Sequence, residues 1–458
     1  MADGSDGVGK VTPLREFVPI ILSISLPVVA TNTLQTIIGI VDTKMVGDPT
    51  LIGDIADEAL AAVGIGRVAM WLIASLLGSA GIGGIAYIAR YYGAKRFEEV
   101  RLYSTSLILL VVAIGALITF LGLALGKLPF MRIAATTSIL NLSYEYMFMM
   151  YLGMSILASN FAIVAIFNAL ARTLYPMYLL ILNNVLNFTG NFLFIPRYGV
   201  LGCAISTVVT TLIVVIVGIL ILYRQNVLSF SLQVKLYLAP MRNMFLLGLP
   251  FAIQMSIRAF SFMLLYIVIR QLKEVSEVGQ SALAIGSQAE ALAYMPGLAF
   301  ATAAATLVGQ SLGMKDPNRA NRAGWVCIYL AVIVMTIVGI LFFVFAENFV
   351  AFFSKTPEII KEGAGYMRIS AVCEPFLALS MVSSGVLRGA GDTITPLWVG
   401  VLALWGIRLP CAYLFGVSLG VGLAGVWWAM TASVILEAFL LNAKFIAGHW
   451  KSIKLREA

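Results

Sequence analysis

Long apolar stretches alternate with short polar segments along almost the whole chain. An apolar stretch of about 18 residues or more can cross the hydrocarbon core of a bilayer as one α-helix. The pattern predicts twelve such helices, and therefore an all-α protein that is integral to a membrane. The predicted helices cover residues 16–45, 60–90, 99–126, 138–170, 175–196, 201–223, 243–271, 279–312, 320–347, 361–387, 396–417 and 422–445.

The composition excludes a water-soluble fold of this size. Of the 458 residues, 60% are hydrophobic and 11% are charged, whereas soluble domains carry about 25% charged residues. The four cysteines lack the spacing of metal ligands, and the chain has one histidine, His449. A metal site or a hydrolytic triad built on histidine is therefore not expected. We expect no cofactor and no enzymatic activity.

The net charge of +8 would also suit a nucleic-acid-binding protein, but the positions of the basic residues argue against that. Most Lys and Arg residues fall in the terminal segments and the even-numbered loops, for example Arg96, Lys315 and Lys451. Because loops rich in Lys and Arg stay in the cytoplasm, the distribution predicts a multi-pass protein of the cell membrane with both termini cytoplasmic. We expect contact with membrane lipid and no nucleic-acid partner.

The second half of the chain resembles the first half at an almost constant offset. The segment "SLPVVA" (25–30) resembles "GLPFAI" (248–253), and "YYGAKRFEEVR" (91–101) resembles "SLGMKDPNRAN" (311–321). Such landmarks in the same order predict two halves of six helices with the same orientation, a parallel repeat. Parallel repeats form transporters with a binding site between two lobes. The predicted units are an N-lobe (1–223), a cytoplasmic linker (224–242) and a C-lobe with a cytoplasmic tail (243–458).

Polar side chains inside the predicted helices are candidates for function, because they are costly to place in lipid. In the first helix, Thr31, Gln35 and Asp42 share one narrow face at spacings i, i+4 and i+11. Such a face either lines a cavity or only holds helices together, and the residues alone leave both interpretations open. The fifth helix carries a second polar stripe of Asn184, Asn187 and Asn191.

The second half carries its own polar face and its own acids. In the seventh helix, Gln254, Arg258 and Ser261 lie at i, i+4 and i+7, on a polar face that we expect to turn toward the cavity between the lobes. We expect Arg258 to face the cavity near an acid, where it either forms a structural ion pair or binds an anionic group. Glu290 and Glu374 are further acids inside predicted helices.

Two ion pairs can be proposed within the predicted bundle. Arg408 and Glu437 lie on adjacent predicted helices and are expected to form a structural pair. Glu374 either contributes to ion coupling or lies near the lipid edge, paired with Arg368.

Four segments in order resemble the multidrug and toxic compound extrusion (MATE) transporters. They are "LPVVATNTLQTIIGIVDTKMVG" with "ALAAVGIG" in the first helices, "GVLGCAIST" in the sixth, "GVLRGAGDTITP" after the tenth and "GVGLAGVWWAM" in the twelfth. The resemblance covers essentially the whole chain. It implies a twelve-helix, two-lobed, V-shaped antiporter that exports amphipathic, often cationic compounds against an inward flow of H⁺ or Na⁺. It also implies that Asp42 lines the N-lobe pocket.

The chain departs from the family pattern at three positions. Asn191 stands where the DinF-like branch usually has a second Asp. Arg258 stands where the NorM-like branch typically has a Glu, and Leu377 where that branch has an Asp. The resemblance therefore does not imply a C-lobe sodium site here, although Glu374, one turn from Leu377, could partly replace the missing acid.

These observations together predict an ion-coupled, monomeric exporter of small amphipathic molecules. The candidate ion-coupling residues are Asp42, Glu290 and Glu374, and Asp42 is also the candidate Na⁺ ligand. An alternative is a lipid or lipid-linked oligosaccharide flippase of the wider multidrug/oligosaccharidyl-lipid/polysaccharide superfamily, since flippases of that kind carry several cavity Arg or Lys residues. A membrane enzyme is a third alternative, but none of the usual hydrolase motifs supports it.

Overall fold

The computed structural model describes residues 14–229 and 235–456, and most of those residues are helical and none lies in a strand. Residues 1–13 of the predicted N-lobe, 230–234 of the predicted linker and the last two residues lie outside the described parts. The long helices are α1 (Leu14–Val46), α2 (Ala56–Gly93), α3 (Phe97–Leu125), α4 (Thr137–Leu152), α5 (Met154–Ala169), α6 (Leu174–Arg224), α7 (Lys235–Arg270), α8 (Ser276–Gly313), α9 (Pro317–Val344), α10 (Pro357–Ala390), α11 (Ile394–Ser418) and α12 (Leu423–Ala447).

Short helical turns occupy some of the connections. They are Pro49–Ile52, Gly53–Ile55, Lys273–Val275, Ala346–Phe353 and His449–Ser452.

The described helices account for the twelve predicted spans. Ten of them are individually long and apolar enough to cross a membrane, and α4 and α5, bent by 58° at their junction, form one more. The 51 residues of α6 are interrupted at Gly199, where φ is 56° and ψ is −131°. Because each segment of α6 on either side of Gly199 is long enough to span the bilayer, α6 supplies two spans. The predicted all-α membrane fold is confirmed.

The predicted repeat is visible in the backbone as well as in the sequence. Residues with left-handed φ recur in pairs separated by 220 to 223 positions. Because few non-glycine residues adopt this conformation, its recurrence at one spacing indicates that corresponding connections have the same shape. The pairs are Gly53 with Lys273, Lys95 with Lys315, Ala171 with Gly391, Gly199 with Gly422 and Asn226 with Gly448.

The buried side chains form three clusters that largely follow the two halves. One cluster joins α2 to α6, and the other two lie mainly among α7 to α12. The start of α1 departs from this division, since Phe17, Ile21 and Ile24 pack in the cluster formed mainly by α8, α9 and α10. α1 therefore bridges the halves, and the lobe boundaries at residues 223 and 243 stay predictions.

The halves are packed backbone to backbone at the end of the bundle that carries the described chain termini, which we call the closed end. A Cβ on Gly83 of α2 would lie 2.1 Å from the Met244 carbonyl oxygen of α7. The tail also crosses this end, because Nη1 of Arg90 in α2 donates to the carbonyl oxygen of Ile453 at 2.8 Å. The two halves and the tail are therefore in direct contact at the closed end.

Candidate functional site

The candidate site in the N-terminal half is built around Asp42, near the C-terminal end of α1. Its Oδ1 accepts a hydrogen bond from Nδ2 of Asn191 at 2.6 Å. The same amide donates to Oδ1 of Asn187 at 3.2 Å, and both asparagines are buried in α6. The structure thus brings the acid of α1 and the polar stripe of α6 together.

Arg67 of α2 completes this site, and sequence reasoning missed it. Its Nη1 donates to the carbonyl oxygen of Gly39 at 3.0 Å and also to the hydroxyl of Thr43. These contacts place the guanidinium where it attracts the Asp42 carboxylate. A signal was present in the sequence, since Arg67 is a charged residue inside the predicted helix 60–90.

The rest of the predicted polar face of α1 does not reach Asp42. The Thr31 hydroxyl donates to a carbonyl oxygen of its own helix at 2.7 Å. Gln35 is exposed and has no hydrogen bond to another described residue. Asn184 donates to a main-chain carbonyl of α1 at 3.3 Å. Among the residues of the two predicted polar stripes, Asp42, Asn191 and Asn187 form a connected hydrogen-bond network.

A groove of about 310 Å³ runs beside this network between α1 and α6. Its walls are mostly apolar, and Asn184 and Asn187 supply polar groups. A groove of this size is at the lower end of small-molecule sites, which span about 300 to 1,000 Å³. The N-terminal half therefore offers an acid next to a surface that can hold part of an amphipathic molecule.

A larger cavity of about 450 Å³ lies among α7, α8, α10, α11 and α12, and α2 of the other half also lines it. Arg258 lines this cavity and forms an ion pair with Glu437, Nη2 to Oε1 at 3.2 Å. Glu290 accepts a hydrogen bond from the Ser370 hydroxyl. The charged and aromatic lining consists of Trp71, Arg258, Phe262, Glu290, Tyr294, Tyr366, Arg408 and Trp427.

The predicted ion pair between Arg408 and Glu437 is wrong. Glu437 is taken by Arg258 of α7, and Nε of Arg408 donates instead to the Ser433 hydroxyl at 2.9 Å. Arg258 reaches this acid from α7, a helix that does not neighbour α12 in the sequence. Adjacency of α11 and α12 in sequence therefore did not decide the partner.

Glu374 lies outside the cavity, in the interface between α10 and α9. Its side chain is 0% exposed, and neither carboxyl oxygen has a hydrogen-bond partner among the described residues. A Cβ on Gly339 of α9 would lie 3.2 Å from the Glu374 Cβ. The alternative pair with Arg368 is wrong, because Arg368 binds Glu347 at 2.8 Å. Burial without partners favours the uncharged carboxylic acid.

Gln254 and Ser261 were predicted to face the cavity, but both are buried in helix packing outside its lining. Gln254 donates to the Pro396 carbonyl oxygen at 2.9 Å and accepts from Nη2 of Arg388 at 2.8 Å. The Gln254 side chain therefore joins α7 to α10 and α11. Of the three residues on the predicted polar face of α7, Arg258 alone lines this cavity.

The geometry can now be compared with known proteins. The sequence profile named MatE matches two segments of the chain, residues 27–193 and 250–414. The chain belongs to the MatE family. The two matched segments begin 223 positions apart, which confirms the predicted parallel repeat. Membership in this family makes the chain a multi-pass membrane transporter.

Relatives of this MATE protein match it over nearly their whole length. It is 25% identical to a probable multidrug resistance protein NorM of Thermotoga maritima, over 94% of this chain and 92% of the relative. It is 25% identical to the uncharacterized transporter YisQ of Bacillus subtilis, over 94% of each chain. A probable multidrug resistance protein NorM of Burkholderia mallei is 27% identical, over 90% and 89%.

Solved MATE structures share the fold. The eukaryotic MATE transporter AtDTX14 aligns with a TM-score of 0.82 at 19% identity, over 96% of this chain and 97% of that chain. The bent form of the Vibrio cholerae MATE transporter VcmN aligns with a TM-score of 0.85 at 17% identity, over 95% and 97%. A MOP superfamily transporter from Pyrococcus furiosus aligns with a TM-score of 0.83 at 20% identity, over 96% and 99%.

Proposed function

We propose that this MATE transporter exports small amphipathic, often cationic molecules by alternating access, driven by proton entry at Asp42. The hydrogen bond between Asp42 and Asn191 carries the proposal. An ionised carboxylate accepts this bond and attracts Arg67, and protonation weakens both interactions. Proton binding would therefore loosen α1 from α6 and α2.

α1 contains prolines at which the helix can bend. The helix contains Pro19 and Pro27, and a proline inside a helix removes one backbone hydrogen bond and permits a kink. Loosening the Asp42 end would let the segment beyond Pro27 repack against the groove beside α6. A molecule held in that groove would then be released, which links proton uptake to export.

Proton coupling fits this site better than Na⁺ coupling. Sodium prefers several oxygen ligands, as hard cations do, whereas Asp42 is approached by an amide N–H donor and by Arg67. A second cation would be repelled by that guanidinium. Glu290 and Glu374 are the remaining candidates for coupling in the C-terminal half, and Glu290 is the one that reaches the cavity.

The names of relatives support an export role, since several are called multidrug resistance proteins. We propose that the protein works as a monomer in the cell membrane. Its basic loops support cytoplasmic termini. The closed end would then face the cytoplasm, and the cavities would open to the outside.

A lipid or lipid-linked oligosaccharide flippase is the second candidate function. The observation that favours it is that two arginines, Arg258 and Arg408, line the same cavity. Phosphate groups of a lipid could bind there, because guanidinium groups recognise phosphate well.

Transport in proteoliposomes tests these functions. Purified protein is reconstituted, and movement of rhodamine 123 is followed under a pH gradient and then under a Na⁺ gradient. We expect the pH gradient to drive the dye and the Na⁺ gradient to have little effect. If neither gradient moved the dye, the proposed export function would be wrong. Translocation of a fluorescent phospholipid without dye transport would favour the flippase, and chemical change of the dye would indicate an enzyme.

A further inference from the structure

Arg408 is a buried cation that none of the described acids neutralises directly. It is 7% exposed and lines the cavity of about 450 Å³. Its hydrogen bond to a described residue runs from Nε to the Ser433 hydroxyl, which is uncharged. No described carboxylate oxygen lies within 4.0 Å of its guanidinium nitrogens. A guanidinium has five N–H donors, so most of them have no described acceptor.

The other arginines near the cavity have partners. Arg258 is paired with Glu437. Arg388 donates to Gln254 at 2.8 Å, and it lies outside this cavity. Burying a charge without a partner is costly. The cost at Arg408 is offset only in part by Ser433 and by longer-range attraction to Glu290 and Glu437.

The local backbone at Arg408 is unusual as well. α11 is wound as a π-helix over Leu402–Arg408 before it returns to α-helical winding at Leu409. Segments of π-helix are rare and occur frequently at functional sites. Arg408 ends this segment, and its side chain contributes to the cavity wall.

We propose that Arg408 forms a subsite for the anionic group, a carboxylate or a related oxyanion, of an amphipathic ligand in this cavity. Glu290 lines the same cavity and would face a cationic group of that ligand. Tyr294, Tyr366 and Trp427 supply aromatic surfaces. The ligand class is therefore a zwitterionic aromatic molecule, and its export, although not its binding, rests on the proposed function.

A pair of dyes that differ in one group tests the subsite. Rhodamine 110 carries a free carboxylate at neutral pH, and rhodamine 123 is its methyl ester. Binding of each dye to the purified full-length protein is measured by fluorescence polarisation at neutral pH. We expect the parent protein to bind rhodamine 110 more tightly, by about tenfold, the low end for a charge-assisted hydrogen bond.

Substitution of Arg408 tests whether the preference for rhodamine 110 depends on this residue. We expect Arg408→Gln to weaken rhodamine 110 binding by about tenfold and to leave rhodamine 123 binding nearly unchanged. Arg408→Lys keeps the charge but loses the planar fork, so it should retain part of the preference. Arg368→Gln is the matched control, because Arg368 pairs with Glu347 outside the cavity. If Arg408→Gln does not fold, the parent and Arg408→Lys still give the acid-to-ester ratio.

Equal affinity of the parent for the two dyes would overturn the proposal, as would equal weakening of both by the Arg408 variants. Adding phosphatidylglycerol to the binding assay separates the sources of the anion. Displacement of rhodamine 110 in the parent and Arg368→Gln but not in Arg408→Gln would assign the subsite to a lipid headgroup. If the protein exports rhodamine 123 but does not bind rhodamine 110 more tightly, the subsite is wrong and the proposed function stands. If it binds rhodamine 110 more tightly but exports no dye, the subsite stands and the proposed function is wrong.

Discussion

The two halves of this transporter share a backbone plan but use their polar residues in different ways. In the N-terminal half, one acid, Asp42, is bound by an amide of α6 and attracted by Arg67. In the C-terminal half, Arg258 and Glu437 form an ion pair. Gln35 and Arg258 correspond in the repeat, yet the glutamine is exposed and the arginine is paired. The repeat thus conserves shape, and single substitutions decide the chemistry of each half.

We propose a structural role for the Arg258–Glu437 pair and a switching role for Asp42. Glu437→Gln should have the largest effect on stability, about 3 kcal/mol, the low end for breaking a buried pair, because Glu437 is buried whereas the Arg258 side chain is 27% exposed. Thermal unfolding of the purified protein measures this. Glu347→Gln is the matched control, since it removes the acid of an exposed pair and should cost less than about 1 kcal/mol. Equal loss in both variants would contradict the structural role of the buried pair.

The closed end should be the next most sensitive region. Gly83→Ala places a Cβ 2.1 Å from the Met244 carbonyl oxygen of the other half, and that backbone cannot move aside cheaply. We expect destabilisation of about 1–3 kcal/mol, as in other overpacked interiors. Gly64→Ala in the same helix meets nothing within 4 Å and serves as the control. Thermal unfolding of both variants tests the interface, and a neutral Gly83→Ala would show that the halves do not pack this closely.

Arg67→Gln should have a smaller effect that concerns pH rather than stability. Arg67 donates hydrogen bonds to Gly39 and Thr43 on either side of Asp42 in α1, so its replacement removes a positive charge from the neighbourhood of that carboxyl. We expect the pH of half-maximal dye export to rise by about one unit or less. Proteoliposome export measured from about pH 6 to about pH 8 tests this. Arg368→Gln, whose pair lies outside the cavity, should leave the midpoint in place. A fall in the pH of half-maximal export would contradict an electrostatic effect of Arg67 on Asp42.

Much of the architecture could be predicted from sequence because lipid imposes simple rules. Apolar length specifies the spans, and the recurrence of matching segments at one offset specifies the repeat. The site was harder to predict. A polar stripe can face a cavity or a neighbouring helix, and Gln254 and Ser261 do the latter. Partners across non-consecutive helices, such as Arg258 and Glu437, depend on tertiary packing that the pattern does not contain.

Proton coupling at Asp42 is the central claim, and export by Asp42→Asn tests it most directly. Rhodamine 123 export under a pH gradient is measured for the parent, Asp42→Asn and Asp48→Asn at matched reconstitution, from about pH 6 to about pH 8. Asp48 is a suitable control because it lies outside the membrane spans. Hydrogen bonds from Thr50 hold the pKa of its carboxyl below the usual value. We predict that Asp42→Asn loses export by at least about tenfold, the factor for about 1.4 kcal/mol, and that Asp48→Asn behaves as the parent. If Asp42→Asn exports at the parental rate with the parental pH dependence, Asp42 is structural and Glu290 becomes the first alternative.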